Sequence, residues 1–116
     1  MAKLKKQYEI FHRIRIFDGE GHFVGKGRIE LLELIQKHGS ITRAAVEMKM
    51  SYRQAWQMVE DMNLLADEPL VEKMPGGKGG GGTRLTARGE KAIKIFHEID
   101  EEINKLAKQL AKKIKF

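Results

Sequence analysis

The residues best equipped for chemistry in this chain are polar donors crowded at the starts of two short predicted helices. Ser51, Tyr52, Arg53 and Gln54, followed by Gln57, open the second of them. Arginine can donate two hydrogen bonds to guanine, glutamine can pair bidentately with adenine, and hydroxyls suit phosphate or base contacts. Ser40, Thr42 and Arg43 open the first helix, where the free backbone N–H groups of a helix start also favour phosphate. Taken singly, each has a plainer use: Ser51 can cap its helix, and Tyr52 can pack. As a set, they favour reading of a nucleic acid.

A second candidate is the run Gly77-Lys78-Gly79-Gly80-Gly81-Gly82, which satisfies the pattern G-x-G-x-x-G. That fingerprint binds a dinucleotide only where a helix opens directly after it, and here the short, strand-like Thr83-Arg84-Leu85-Thr86 follows. Lys78 is followed by Gly79 rather than Ser or Thr, so the P-loop pattern fails as well. A flexible backbone carrying Lys78 and Arg84 suits phosphates or a minor groove instead. Other chemistry has little support. His12, His22, His38 and His97 lack metal-ligand spacing, and no G-x-S-x-G nucleophile motif occurs. Glu98, Asp100, Glu101 and Glu102 read as a solvated helix face, with Glu101 placed to pair with Lys105. The expectation is a protein with no catalytic site, no metal and no cofactor.

The composition agrees. The chain has 116 residues, 22 Lys and Arg against 16 Asp and Glu, a net charge of +6 and no cysteine. A disulfide scaffold, a thiolate zinc site and a cysteine nucleophile are excluded. A pI near 9.6 points to a polyanionic partner. The longest apolar runs are far too short to span a membrane, and the basic start MAKLKKQYEIFHR lacks the pattern of a signal peptide. A cytoplasmic location is expected.

The elements that must position these residues follow from periodicity. Ile10 to Phe17 alternate a basic face, Arg13 and Arg15, with an apolar one, Ile14 and Ile16, which predicts a half-buried strand. Asp18-Gly19-Glu20-Gly21 predicts a turn and His22-Phe23-Val24 a return strand. Ile29, Leu31, Leu32, Leu34 and Ile35 form a helical stripe that stops at His38-Gly39. Two short helices follow. The first is capped by Ser40 or Thr42 and holds Ala44, Ala45 and Met48. The second is capped by Ser51, with Ala55, Trp56, Val59 and Met62 as its core. Two short helices joined by a tight turn form a helix-turn-helix. Leu70 to Met74 and Thr83 to Thr86 predict two strands around the glycine-rich tip, which makes a wing. From Thr86 onward Ala92, Phe96, Ile99, Ile103, Leu106 and Leu110 recur in steps of 4, 3, 4, 3 and 4, a heptad seam on a helix of about 28 residues. A second copy of the chain is the expected cover for this seam, with Phe96, Ile99, Ile103, Leu106 and Leu110 at the interface.

Gly39-Ser40-Ile41-Thr42-Arg43-Ala44-Ala45, Met50-Ser51-Tyr52-Arg53-Gln54-Ala55-Trp56, Leu70-Val71-Glu72-Lys73 and Leu85-Thr86-Ala87-Arg88-Gly89 together resemble the winged helix-turn-helix of LysR-type regulators. The opening Ser-Tyr-Arg-Gln-Ala-Trp, the pair Met62-Asn63 and the tip from Gly76 to Gly82 resemble more closely the N-terminal domain of the molybdate-responsive regulators, the ModE family. The resemblance covers roughly residues 10 to 110. It implies a dimer on double-stranded DNA, held by long terminal helices and controlling molybdenum-related operons. It departs in that the chain ends before ModE's molybdate-binding domains, or the larger LysR effector domain, would begin. The expectations are therefore a mainly α fold with small β hairpins (α+β) in two parts. Residues 1–86 form a winged helix-turn-helix with an N-terminal hairpin, and residues 87–116 a long dimerisation helix. The expected function is sequence-specific, DNA-binding transcription regulation. The alternative is a winged-helix interaction module whose long helix docks a separate effector protein.

Overall fold

The computed structural model describes residues 6–76 and 82–116, apart from the side chain of His22. Eight elements follow one another: β1 (Arg15–Phe17), β2 (His22–Gly25), α1 (Lys26–His38), α2 (Ile41–Glu47), α3 (Tyr52–Leu65), β3 (Val71–Lys73), β4 (Thr83–Leu85) and α4 (Ala87–Ala111). The fold is α+β, four helices and two separate antiparallel hairpins.

The core is built where three helical stripes meet. Ile29, Leu31, Leu32 and Ile35 of α1 are buried against Ile41, Ala44 and Ala45 of α2 and against Ala55, Val59 and Met62 of α3. The small Ala44, Ala45 and Ala55 bring α2 and α3 close together. Val24, Leu70, Val71, Leu85 and Phe96 close the cluster from the hairpins and α4. Trp56 departs from expectation, since it is only half-buried. Successive helix residues point about 100° apart, so Trp56 cannot share the line of Ala55, Val59 and Met62.

Each helix is punctuated where its residues demand it. Gly39 ends α1 in the left-handed region, φ 66°, with its N–H on the Ile35 carbonyl. Between α2 and α3 the chain turns through Lys49, itself left-handed at φ 57°, with Met50 N–H bonded to the Ala45 carbonyl at 3.0 Å. Thr86 caps α4, accepting from the Gly89 N–H; the helix begins at Ala87 as expected but ends at Ala111, with 25 residues rather than about 28.

The strands are shorter than the patterning suggests. β1 was expected from Ile10 but begins at Arg15. Arg15 lies opposite Gly25, the last residue of β2, so residues before it have no strand to pair with. They run instead beside α1 and α4, where His12 meets Asp100 at 3.4 Å. In the second hairpin Val71 faces Leu85, Glu72 faces Arg84 and Lys73 faces Thr83. The molecule measures 71 × 33 × 21 Å, its length drawn out by α4.

Candidate nucleic-acid interface

The helix-turn-helix begins at two serine caps. Ser40 Oγ accepts from the Arg43 N–H at 3.2 Å, which fixes the start of α2 and leaves Thr42 and Arg43 exposed beside it. Thr42 is not the cap. At α3 the cap is reciprocal. Ser51 Oγ accepts from the Gln54 N–H at 3.1 Å, and Gln54 Oε1 accepts from the Ser51 N–H at 3.1 Å. A capping box of this kind satisfies two of the orphan donors at a helix start. It also engages part of the Gln54 amide, so only its NH₂ remains for other partners.

Ser51, Tyr52, Arg53, Gln54 and Gln57 are all exposed at the start of α3. Arg53, Gln54 and Gln57 point away from the buried Ala55–Val59–Met62 line, whereas Tyr52, seven residues before Val59, is open because it stands at the first position of the helix. The Arg43 and Arg53 side chains make no hydrogen bond or ion pair among the described residues. Both guanidiniums are therefore open to an anion or a base edge. Gln57 is oriented by its own helix: its Nε2 donates to Asp61 Oδ1 at 2.9 Å. Asp61 Oδ2 in turn lies 3.4 Å from a terminal nitrogen of Arg28 on α1.

The wing is placed by side chains that sequence reading did not single out for that task. Asn63, near the end of α3, accepts from Leu70 N–H at 2.9 Å and Val71 N–H at 3.3 Å, and donates to the Val71 carbonyl at 3.1 Å. One amide thus clamps the start of β3 to α3. The return strand is fixed from the other side by Thr83 N–H on the Gly39 carbonyl at 3.0 Å. Thr86 Oγ1 donates to the Pro69 carbonyl at 2.6 Å. The signal for Asn63 in the sequence was its polarity next to buried Met62, on the side of α3 that must meet the following strand.

Arg84, expected at the interface, is exposed on β4 but is paired across the hairpin with Glu72, Nε to Oε1 at 2.8 Å. It reaches a phosphate only by giving up that carboxylate. Lys78 and the glycines from Gly77 to Gly81 lie outside the described residues. What is described is the base of the wing, where Met74 N–H bonds to the Gly82 carbonyl at 2.8 Å.

Along α4 the predicted seam divides. Phe96 is 5 % exposed and belongs to the core of its own domain, whereas Ile99, Ile103, Leu106 and Leu110 are 36, 36, 53 and 44 % exposed. The interface expected for all five therefore reduces, on burial, to the last four. Phe96 already has its cover.

The corner between α1 and α2 carries a carboxylate whose pKa is lowered. The Glu47 carboxylate accepts from His38 and lies 3.9 Å from Lys37. The His38 hydrogen bond, and secondarily the Lys37 charge, hold its pKa below the ordinary glutamate value. Asp18 is lowered as well, by the Glu20 and Gly21 N–H groups that its carboxylate accepts in the first hairpin turn.

Residues 27–90 match the family of bacterial regulatory helix-turn-helix proteins of the lysR type. Among curated relatives, the molybdenum transport protein ModE of Azotobacter vinelandii is 40 % identical over 87 residues, 75 % of this chain and 32 % of its own length. The transcriptional regulator ModE of Yersinia pestis is 47 % identical over 74 residues, 64 % of this chain and 28 % of its own. The chain thus spans about a third of these relatives or less. A crystal structure of a LysR family transcriptional regulator superimposes with a TM-score of 0.52 at 13 % identity, covering 66 % of this chain and 25 % of that one. This supports the fold.

Proposed function

Because the chain belongs to the lysR family of bacterial regulatory helix-turn-helix proteins, we propose that it is a sequence-specific transcription regulator that binds double-stranded DNA as a homodimer. The observation that carries the reading is the start of α3. A rigid capping box there presents Tyr52, Arg53 and Gln57 outward, with the Arg53 guanidinium unpartnered among the described residues. In this family of folds the second helix lies in the major groove with its N-terminal residues nearest the base edges. Arg53 and Gln57 would read bases, Gln54 through its remaining NH₂. Ser40, Thr42, Arg43, Ser51 and Tyr52 would hold phosphates, and Lys78 and Arg84 would contact the backbone from the wing.

In this reading residues 1–86 bind DNA and residues 87–116 dimerise, and the protein works in the cytoplasm. Its relatives named ModE suggest a place in molybdenum regulation. The residues described here carry the DNA-binding part of that role.

The test compares two substitutions. Arg53→Ala is expected to lower discrimination between specific and random duplexes, by about 1–3 kcal/mol for one lost bidentate contact. Lys78→Ala is expected to weaken all duplexes alike and to reduce the salt slope by about one. Equal effects of both substitutions on specific and random DNA would overturn the assignment.

A further inference from the structure

The basic face formed by the first hairpin and the segment leading into it has no part in the interface so far. Arg13 and Arg15 alternate with Ile14 and Ile16, which pack on the core, so both arginines emerge on one exposed side. The pairing of Arg15 with Gly25 brings that side against the start of α1. The result is an open depression of about 420 Å³ lined by Arg13, Arg15, Lys26 and Arg28, with Glu30 as its one carboxylate and Met58 of α3 in its wall. Arg13, Arg15 and Lys26 make no ion pair among the described residues. Three cations without ion pairs, against the single carboxylate of Glu30, give the concavity a net positive potential well suited to a polyanion.

The position of the depression selects the polyanion. Met58 and Asp61 lie to one side of the buried line of α3, and Asn63 lies to the other. Asp61 ties Arg28 to α3, and Asn63 ties the wing to it. The helix therefore sits between two hairpins, the wing on one flank and the basic hairpin on the other.

We propose that this depression is a second phosphate-binding surface, taking the DNA backbone beside the stretch read by α3. The proposal rests on the DNA-binding reading above and extends it. Arg13 and Arg15 grip successive phosphates, and Lys26 adds charge behind them. The hairpin acts as a second wing, so that each protomer holds the duplex backbone on both sides of its recognition helix.

The experiment uses the full chain and a random-sequence duplex of about 40 base pairs, titrated between about 0.05 and 0.2 M salt. The variant is Arg13→Ala with Arg15→Ala, both at exposed positions. Each neutralised phosphate contributes about 0.9 to the slope of log affinity against log salt, so the double variant is expected to lose about two from that slope. A control of equal charge, Lys113→Ala with Lys115→Ala at the far end of the chain, is expected to leave the slope unchanged. A parental slope in the hairpin variant, or equal losses in the two variants, would overturn the proposal. The DNA-binding reading is judged separately, by Arg53→Ala on selected against random duplexes. A parent chain that binds no duplex at all would overturn both.

Discussion

At the corner of α1 and α2, Glu47 is held by His38 and Lys37, and its lowered pKa gives this contact a definite pH signature. The folded carboxyl binds its proton less readily than the unfolded one, so between the two values the unfolded chain carries more protons. Stability therefore rises with pH through that window. The contribution is fully present above the ordinary glutamate range and is lost as pH falls through the lowered value. A carboxyl titration followed by NMR is expected to place the Glu47 midpoint below the ordinary glutamate value, and His38→Ala is expected to move it back up. A Glu47 midpoint at the ordinary value in the parent would contradict the geometry. Such contacts are not visible in the sequence. His38 and Glu47 are nine residues apart, and only the left-handed turn at Gly39 folds α2 back to bring them together. Ser40 and Ser51, by contrast, were readable as caps because capping is a local transaction between a side chain and the N–H three residues on. The same locality hid one consequence: the residue that completes the box at α3 is Gln54, which had been read only for its chemistry toward bases.

Between elements, the closest approach at a glycine is where the start of α4 meets Leu70, just before β3, and Leu85 of β4. A Cβ on Gly89 would lie 2.3 Å from the Leu70 carbonyl oxygen and 3.2 Å from Leu85 Cβ. The obstacle at Leu70 is backbone, held by Thr86 N–H at 2.9 Å, and it cannot swing aside. Alanine normally stabilises a helix over glycine by about 1 kcal/mol. Here Gly89→Ala is expected to destabilise the fold by roughly 1–3 kcal/mol, the cost of overpacking, seen as a lower urea midpoint. A raised midpoint would mean that the wing base can shift. At this scale periodicity located all four helices, since an apolar stripe every three or four residues is a property of the chain itself. It placed β1 too early, because alternation from Ile10 onward says nothing about whether a partner strand reaches that far. Trp56 was misplaced for the opposite reason: its hydrophobicity was weighed without its angle around the helix. Asn63 marks the family resemblance, but its clamp on the wing is not legible in the sequence, because its partners are the backbone of Leu70 and Val71 and backbone groups carry no signature there.

Across the whole molecule, α4 extends about 37 Å at ~1.5 Å per residue; its part in the buried core ends at Phe96, and past that His97 meets Glu33 and Asp100 meets His12. Beyond them Ile99, Ile103, Leu106 and Leu110 present one apolar stripe at heptad spacing. A second copy covering this stripe would give the two recognition helices a two-fold axis. Ile103→Asp is expected to shift the chain from dimer to monomer in sedimentation equilibrium, with the circular dichroism of the domain retained, since Ile103 lies outside the core. A parent that sediments as a monomer at every concentration would remove the symmetric arrangement.

The central claim, a two-fold symmetric reader of DNA sequence, is met most directly by selecting bound duplexes from a random pool at about 0.15 M salt, where nonspecific phosphate binding is suppressed. The predicted result is an inverted repeat whose half-sites lie about 34 Å apart, one turn of the duplex. Recovery of no common motif would contradict it, leaving the charge of +6 and the basic hairpins as a source of general affinity alone.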